Sequence, residues 1–200
     1  MCVLKLKEEC IIGIDLAGTP KNPSGLAFWK NKTVKACLLH DDREILENIT
    51  KNNPALIAID APFCLPQEGL LRKADREMIS RGYRVFPPAL ATMRMLTLRA
   101  IKLNKLIGKK GYNVIEVHPT STRKALKMPL KDWGIIQATF KSMGLEGDVK
   151  ARMLTPHELD AVTAAFTAHL HINNQTDALG DEKEGYIIVP KKKNWRTIRI

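Results

Sequence analysis

Four acidic residues lie where the sequence predicts secondary-structure elements to begin or end. Asp15 and Asp60 each close a short apolar run of strand type, IIGID and ALIAID. Glu116 lies within a third such run, and Asp160 lies in the second turn of a predicted helix. Because neighbouring strands of a mixed sheet can bring such groups to one edge, we expect the four carboxylates to meet.

Clustered carboxylates of this kind point to a divalent cation. Four negative charges within a few ångströms repel one another unless cations balance them. Oxygen-only ligands suit Mg²⁺ or Mn²⁺, and two such ions about 4 Å apart can activate water for phosphodiester cleavage. Each acid alone also has an ordinary explanation as a turn or cap residue, above all Asp160, because acids are favoured near helix N-termini. The prediction therefore depends on the joint pattern.

Composition indicates a polyanion as the partner. The 200 residues carry a formal net charge of +11, with lysine clusters at 102–110 and 191–193. Such an excess suits nucleic acid, DNA or RNA, although a basic solvated surface has the same composition. The length suits one domain, residues 1–200, with a helical insert at about 67–108.

The cysteines and apolar runs bear on the compartment. Four cysteines are scattered without C-x-x-C spacing, which argues against a zinc knuckle and a disulfide framework and favours a reducing cytoplasm. The N-terminal MCVLKLKEEC lacks the apolar core of a signal peptide, and no run reaches transmembrane length. We therefore expect a soluble, cytoplasmic protein without a membrane partner.

The elements that must position the acids begin with a predicted three-strand meander. Its strands begin at Ile11, Ser24 and Lys32, with a tight hairpin at Asn31 and Lys32. A helix capped near residue 41 follows, and then strand 55–60, whose continuous apolar run is typical of a strand buried on both faces. Two helices, 69–80 and 90–107, form the insert before the next strand, 112–118.

The C-terminal part contains the strongest helix signal. Thr155, Pro156 and Glu158 have the types expected at N-cap, N1 and N3 of a capping box, which predicts a helix to about His171. Its alanines permit close packing against a sheet. Shorter helices are predicted at 121–126 and 132–143, and the run 184–190 predicts a last β segment, with 196–200 as a possible partner strand.

These motifs resemble a known family, a domain of unknown function with predicted ribonuclease H-like nuclease character. The resemblance is carried by IGIDLAGT, IAIDAPFCLP, the R-x-x-D of Arg72 and Asp75, EVHP, HELDA and the closing EGYIIVP, which span nearly the whole chain. It implies an α/β fold in which helices flank a mixed five-stranded ribonuclease H-like sheet, with a helical insert and a C-terminal β segment.

The resemblance also implies roles for named residues. It implies that four carboxylates form the catalytic set and bind Mg²⁺ or Mn²⁺: Asp15, Asp60, Glu116 and Asp160. Candidate contacts to the substrate are Arg72, Arg76 and His118. The hypothesis is a metal-dependent nuclease, a hydrolase of nucleic acid whose nucleophile is water.

Two other functions remain open from the sequence. IGIDLAGT also resembles the first phosphate-binding loop of sugar kinases and actin-like ATPases, although those need a duplicated core and this chain has no internal repeat. A non-catalytic nucleic-acid-binding module would explain the basic charge, although clustered carboxylates would repel a polyanion. His118 and His157 have an equally ordinary explanation as hydrogen-bonded structural groups at a strand end and a helix start.

Overall fold

One mixed β-sheet forms the centre of the structure, a computed structural model that describes residues 10–200. Cys2 and the predicted N-terminal features before residue 10 lie outside the described residues. The sheet has eight strands in the order β6-β3-β2-β1-β4-β5-β8-β7. The strands are β1 Cys10–Asp15, β2 Ser24–Lys30, β3 Thr33–Leu39, β4 Leu56–Asp60, β5 Val114–Val117, β6 Glu146–Gly147, β7 Thr176–Asp181 and β8 Gly185–Pro190.

The five predicted strands form the middle of this sheet. The strands β1, β2 and β3 make the expected antiparallel meander, and β4 lies parallel to β1 with β5 parallel to β4. The hairpin between β2 and β3 turns at Asn31, whose φ of 55° is in the left-handed region that asparagine tolerates. The sheet continues beyond the five strands, through β6 at one edge and the β8–β7 hairpin at the other.

Seven helices cover the sheet within the described residues. They are α1 Asp42–Asn52, α2 Lys73–Ser80, α3 Ala91–Lys109, α4 Pro119–Ala125, α5 Trp133–Met143, α6 Asp148–Ala151 and α7 Pro156–Ile172. The predicted capping box of α7 is present, because Thr155 accepts from the Glu158 N–H while Glu158 accepts from the Thr155 N–H. The insert helix α2 begins later than predicted, since Gly69 has a φ of +68° and Arg72 is extended.

Two hydrophobic cores lie on opposite faces of the sheet. One core contains Ile11 and Ala58 and is covered by α7 and α5. The other contains Ile12, Ile14 and Ile59 and is covered by α1 and the insert helix α3. Alternate residues of each strand therefore face either α7 or the insert, which decides where each acidic side chain points.

The C-terminal tail differs from the prediction. Residues 196–200 were expected as a strand beside β8, but Trp195–Thr197 is a 3₁₀ turn capped by the Asn194 side chain. The partner of β8 is β7, which runs antiparallel to it. The sequence TDALGD of β7 was not predicted as a strand because glycine and aspartate are rare in strands. Here the hairpin pairing with an apolar neighbour outweighs local propensity.

The described residues contain no helix that is both long enough and apolar enough to cross a bilayer.

Gly13→Ala is expected to destabilise the protein, because α7 packs directly on the β1 backbone at this position. A Cβ at Gly13 would lie 2.1 Å from the Ala161 carbonyl oxygen and 2.4 Å from the Ala165 nitrogen. We expect a loss of about 1–3 kcal/mol or more in the free energy of unfolding, measured by denaturant titration. The control is Gly108→Ala in α3, where a Cβ meets nothing within 4 Å. Equal effects of the two substitutions would contradict the close packing of α7 on β1.

Candidate active site

Asp15 and Asp60 lie side by side at the edge of the sheet. Each is the last residue of its strand, and the parallel register of β1 and β4 pairs them directly. Asp15 follows the same alternation as Ile11 and Gly13, so its side chain lies on the face that α7 covers. The predicted meeting of these two carboxylates is thus a direct consequence of strand register.

Helix α7 brings Asp160 to the same place. The helix can approach closely because Gly13 and Gly25 have no side chain, and a Cβ on Gly25 would lie 2.0 Å from the His157 carbonyl oxygen. The negative charge of Asp160 raises the pKa of both Asp15 and Asp60, although burial is the larger cause at each. The structure therefore brings Asp15, Asp60 and Asp160 together on the α7 side, and the charge of Glu116 also reaches Asp60.

Two basic side chains contact this group of three carboxylates. His157, in the first turn of α7, places Nδ1 at 2.7 Å from Asp15 Oδ2. Arg123 of α4, whose side chain is 1% exposed, forms an ion pair with Asp160 and also donates to Thr163 Oγ1. Its Nε is buried and has no hydrogen-bond partner within the described residues.

The neighbouring basic side chains do not offset the burial of the carboxylates and their mutual repulsion. Burial raises the pKa of Asp15 to about 6, even though the His157 hydrogen bond opposes the shift. The pKa of Asp60 is raised well above its usual range by burial, then by the charges of Asp15 and Asp160. No hydrogen-bond donor within residues 10–200 reaches the Asp60 carboxylate. Asp60 is thus an unpartnered acid between two others.

Glu116 lies on the opposite face of the sheet. It pairs in register with Ile59, so its side chain points toward the insert and away from α7. Its two oxygens accept from Arg72 Nη1 and Nη2 at 2.8 and 2.6 Å, and Oε2 also accepts from the Phe63 N–H. Burial raises the pKa of Glu116, and Arg72 is the main opposing influence. Arg72 and Phe63 already satisfy the hydrogen bonds of this carboxylate. The role of Glu116 as a metal ligand stays a prediction.

Arg72 is a buried structural cation in this structure. Its side chain is 1% exposed and forms ion pairs with Asp75 and Glu116, with Nε also donating to Asp75. Burial opposes its charge, but these hydrogen bonds raise the pKa of Arg72 above its usual value. Every guanidinium nitrogen is therefore occupied. Arg72 lines the pocket beside the carboxylates, whereas Arg76 lines a separate depression with Glu184.

His118 is a neutral hydrogen-bond donor at the pocket wall. Its Nδ1 accepts from the Ser121 backbone N–H at 3.2 Å, which places the ring proton on Nε2. Burial, followed by the charge of Arg123, lowers the pKa of His118 to about 4. This capping bond gives His118 a structural partner, the Nε2–H has no acceptor within the described residues, and the predicted contact of His118 with substrate stays a prediction.

The loop after β1 is fixed by contacts inside the protein. The Ala17 N–H donates to Ser24 Oγ at 3.0 Å, and the Ala17 carbonyl accepts from Arg99 Nη1 at 2.7 Å. Arg99 belongs to α3 and also pairs with Asp42. The Ala17 N–H is thus already engaged, so this amide has no donor left for a nucleotide phosphate.

Asp15, Asp60 and Glu116 all open into one pocket of about 180 Å³. Its opposite wall comes from the insert and is apolar, with Val85, Phe86, Met93 and Leu96 among the lining residues. The site is therefore a small cleft with an acidic side and an apolar side.

Comparison with known proteins assigns the family. A model of the family described as "Protein of unknown function (DUF429)" matches residues 13–184. The chain belongs to the DUF429 family. No curated protein matches this DUF429 chain closely enough to report.

Solved structures place this DUF429 member in the ribonuclease H-like fold. A structure titled "T. thermophilus RuvC in complex with Holliday junction substrate" aligns at a TM-score of 0.52 with 14% identity, covering 82% of this chain and 96% of that one. The "Thermus thermophilus RuvC structure" aligns over the same shares at 18% identity with a TM-score of 0.44, too loose to support a conclusion. The fold that the sequence resemblance implies is confirmed.

The sequence did not predict that Arg123 belongs to the site, and it did not predict the contact of His157 with Asp15. Arg123 lies in a correctly predicted short helix, but no sequence pattern distinguishes it from the other 31 lysines and arginines of the chain. His157 was identified only as a residue at a helix start. The one available signal was its position within HELDA, three residues before Asp160 and thus on the same helix face.

The carboxylates of this DUF429 member have the chemistry of a hard-cation site. Within residues 10–200, no three His, Cys, Asp or Glu side chains already stand in the arrangement of a metal-ion site. Asp15 and Asp160 instead contact His157 and Arg123. The three carboxylates offer only oxygens, the ligand type that hard cations prefer, and Asp60 accepts no hydrogen bond within residues 10–200.

Asp60→Asn is expected to stabilise the metal-free protein. The substitution keeps the shape of the side chain and removes a desolvated charge that two neighbouring acids repel. In the presence of a chelator at neutral pH, we expect the free energy of unfolding to rise by about 1–2 kcal/mol. The control is Glu182→Gln, which neutralises an exposed acid. A destabilised Asp60→Asn protein would contradict an uncompensated carboxylate at this position.

Arg72→Met is expected to destabilise the protein strongly. The substitution leaves Asp75 and Glu116 buried without their shared cation, which costs roughly 3–5 kcal/mol by thermal or denaturant unfolding. Arg43→Met removes an ion pair of 85% and 64% exposed side chains and is expected to change stability by less than about 1 kcal/mol. Similar losses for the two variants would contradict a structural role for Arg72.

Proposed function

We propose that this protein hydrolyses phosphodiester bonds in nucleic acid and that Asp15, Asp60 and Asp160 hold Mg²⁺ or Mn²⁺. The observation that carries the proposal is the unpartnered Asp60 carboxylate, flanked by Asp15 and Asp160 at the edge of a ribonuclease H-like sheet. The net charge of +11 supports a polyanionic substrate. The fold likeness to RuvC, whose structure contains a Holliday junction, supports the same class of substrate.

The proposed cation supplies charge neutralisation for the phosphate and activation of a water nucleophile. The protein's own residues prepare the site for both. His157 orients Asp15 through its hydrogen bond, and Arg123 limits the repulsion at Asp160 while the cluster is free of metal. The neutral Nε2–H of His118 is available to donate to a phosphate oxygen without adding charge.

Glu116 and Arg72 have a positioning role in this proposal. The Arg72–Glu116 pair fixes the Phe63 amide, which follows Asp60 by three residues, and so holds the chain beyond the end of β4. The predicted role of Glu116 as a ligand remains a proposal that Glu116→Gln would test. The predicted contact of Arg76 with the phosphate backbone likewise remains a proposal. Arg76 lies outside the pocket, so any such contact would be made by substrate extending beyond it.

Cleavage of a substrate panel tests this function. We expect the wild-type protein with Mn²⁺ or Mg²⁺ to cleave at least one of single-stranded DNA, duplex DNA, RNA, an RNA–DNA hybrid or a four-way junction. Asp15→Asn and Asp60→Asn should each reduce the rate by roughly 100-fold or more, because several kcal/mol of charge stabilisation is lost. The matched control is again Glu182→Gln, which should cleave like the wild type.

The same assay separates the other two functions. Binding of nucleic acid without cleavage, unchanged in Asp15→Asn, would favour a non-catalytic module. Saturable ATP binding without nuclease activity would favour a nucleotide-binding protein of the actin-like type. Cleavage that persists in purified Asp60→Asn protein would contradict the proposed metal site.

A further inference from the structure

Part of the apolar wall of the pocket comes from a proline-containing loop that exposes an aromatic ring. Phe86 is 70% exposed and lines the same pocket as Asp15 and Asp60. It precedes Pro87 and Pro88, which fix their own φ angles and restrict the residue before them to extended conformations. The buried Thr97 hydroxyl of α3 lies within hydrogen-bond distance of two carbonyls, that of Pro88 in the loop at 3.2 Å and that of Met93 at 3.1 Å. The backbone of the loop is therefore restrained, while the Phe86 ring stays exposed.

The pocket has the size of one planar ring system. Its volume is about 180 Å³, whereas pockets for drug-sized ligands are roughly 300–1,000 Å³. An apolar cavity of about 150 Å³ takes one benzene molecule. Val85, Met93 and Leu96 line the wall beside Phe86. A base pair within a double helix cannot enter such a cleft, but a single unstacked base can.

The charges near the loop indicate which kind of ligand would supply the planar ring system that fits the pocket. Arg84 and Arg94 lie on either side of Phe86 in the sequence, both are exposed, and neither forms an ion pair within residues 10–200. Arg84 and Arg94 adjoin the pocket-lining Val85 and Met93 in the sequence. Exposed arginines next to an apolar wall fit a nucleotide, because the base can contact the wall while the adjoining phosphates contact the arginines.

We propose that the pocket binds one unpaired nucleobase, stacked on Phe86, of a single-stranded or locally unpaired nucleic acid. This inference rests on the proposed function, because the phosphodiester beside that base would be the one presented to Asp15 and Asp60. It goes beyond the proposed function by naming unpaired nucleic acid as the substrate class. The fold likeness alone does not specify whether the substrate is paired.

The test uses the full-length protein and a short oligonucleotide with one 2-aminopurine, either single-stranded or in a fully paired duplex. Stacking on Phe86 should quench the fluorescence of the unpaired 2-aminopurine and leave the paired one unaffected. Phe86→Ala should abolish this quenching and weaken single-strand binding about 5- to 100-fold, measured by fluorescence anisotropy. Phe86→Trp should retain both, because indole offers a larger stacking face.

Two controls separate stacking from other effects. Met153→Ala removes an apolar side chain that is 71% exposed and lies outside the pocket, and it should behave like the wild type. Arg84→Ala should weaken binding of both oligonucleotides to a similar extent, since a phosphate contact does not report base pairing. Unchanged binding and quenching in Phe86→Ala would overturn the proposal, and so would equal quenching in the duplex.

These readouts do not depend on cleavage, so the two proposals fail separately. Quenching without cleavage of any substrate would overturn the nuclease and leave the base pocket intact. Cleavage of fully paired duplex that is independent of Phe86 would leave the nuclease intact and overturn the base pocket. If Phe86→Ala changes only the self-association of the protein, seen by light scattering, the exposed ring is a protein interface and the base pocket is overturned.

Discussion

The repulsion among three carboxylates at one edge of the sheet is the constraint on which this structure depends. Asp15, Asp60 and Asp160 lie close together at partly buried positions, and within residues 10–200 the basic side chains that contact them are His157 and Arg123. A folded protein gains nothing in stability from this arrangement, because burial and like charges both disfavour the ionised acids. In the proposed function this cost serves to attract a cation, and the Asp60 carboxylate, which accepts no hydrogen bond within residues 10–200, is the acid with the most to gain.

The close packing of α7 creates this proximity. Helix α7 lies on β1 and β2 at two glycines, so its first turns reach the ends of the strands and Asp160 arrives beside Asp15. Strand alternation has the opposite consequence for Glu116, which faces the insert and pairs with Arg72. The same sheet edge therefore carries a charged cluster on one face and a neutralised buried network on the other. The insert adds the apolar wall of the pocket into which Asp15, Asp60 and Glu116 open.

Local signals were sufficient to predict most of the fold. The apolar runs predicted the five central strands, and capping residues and helical periodicity predicted α1, α3, α5 and α7. The strand β7 could not be predicted, since its glycine and aspartates have low strand propensity and only the pairing with β8 makes it a strand. The position of Asp60 beside Asp15 followed from two strands that end in aspartate. Strand register places Glu116 on the other face of the sheet, and helix packing places Arg123 beside Asp160. No local sequence pattern specifies either.

Soaking crystals of this protein with Mn²⁺ and recording the anomalous signal tests whether the three carboxylates at the sheet edge hold a divalent cation. We expect a Mn²⁺ peak in contact with the carboxylates of Asp60 and Asp15. If Asp160 also binds the ion, the Arg123–Asp160 ion pair should be lost. Crystals of Asp60→Asn soaked identically should lack that peak. If wild-type crystals at millimolar Mn²⁺ bind the ion elsewhere and none at Asp60, the proposed cation site is contradicted.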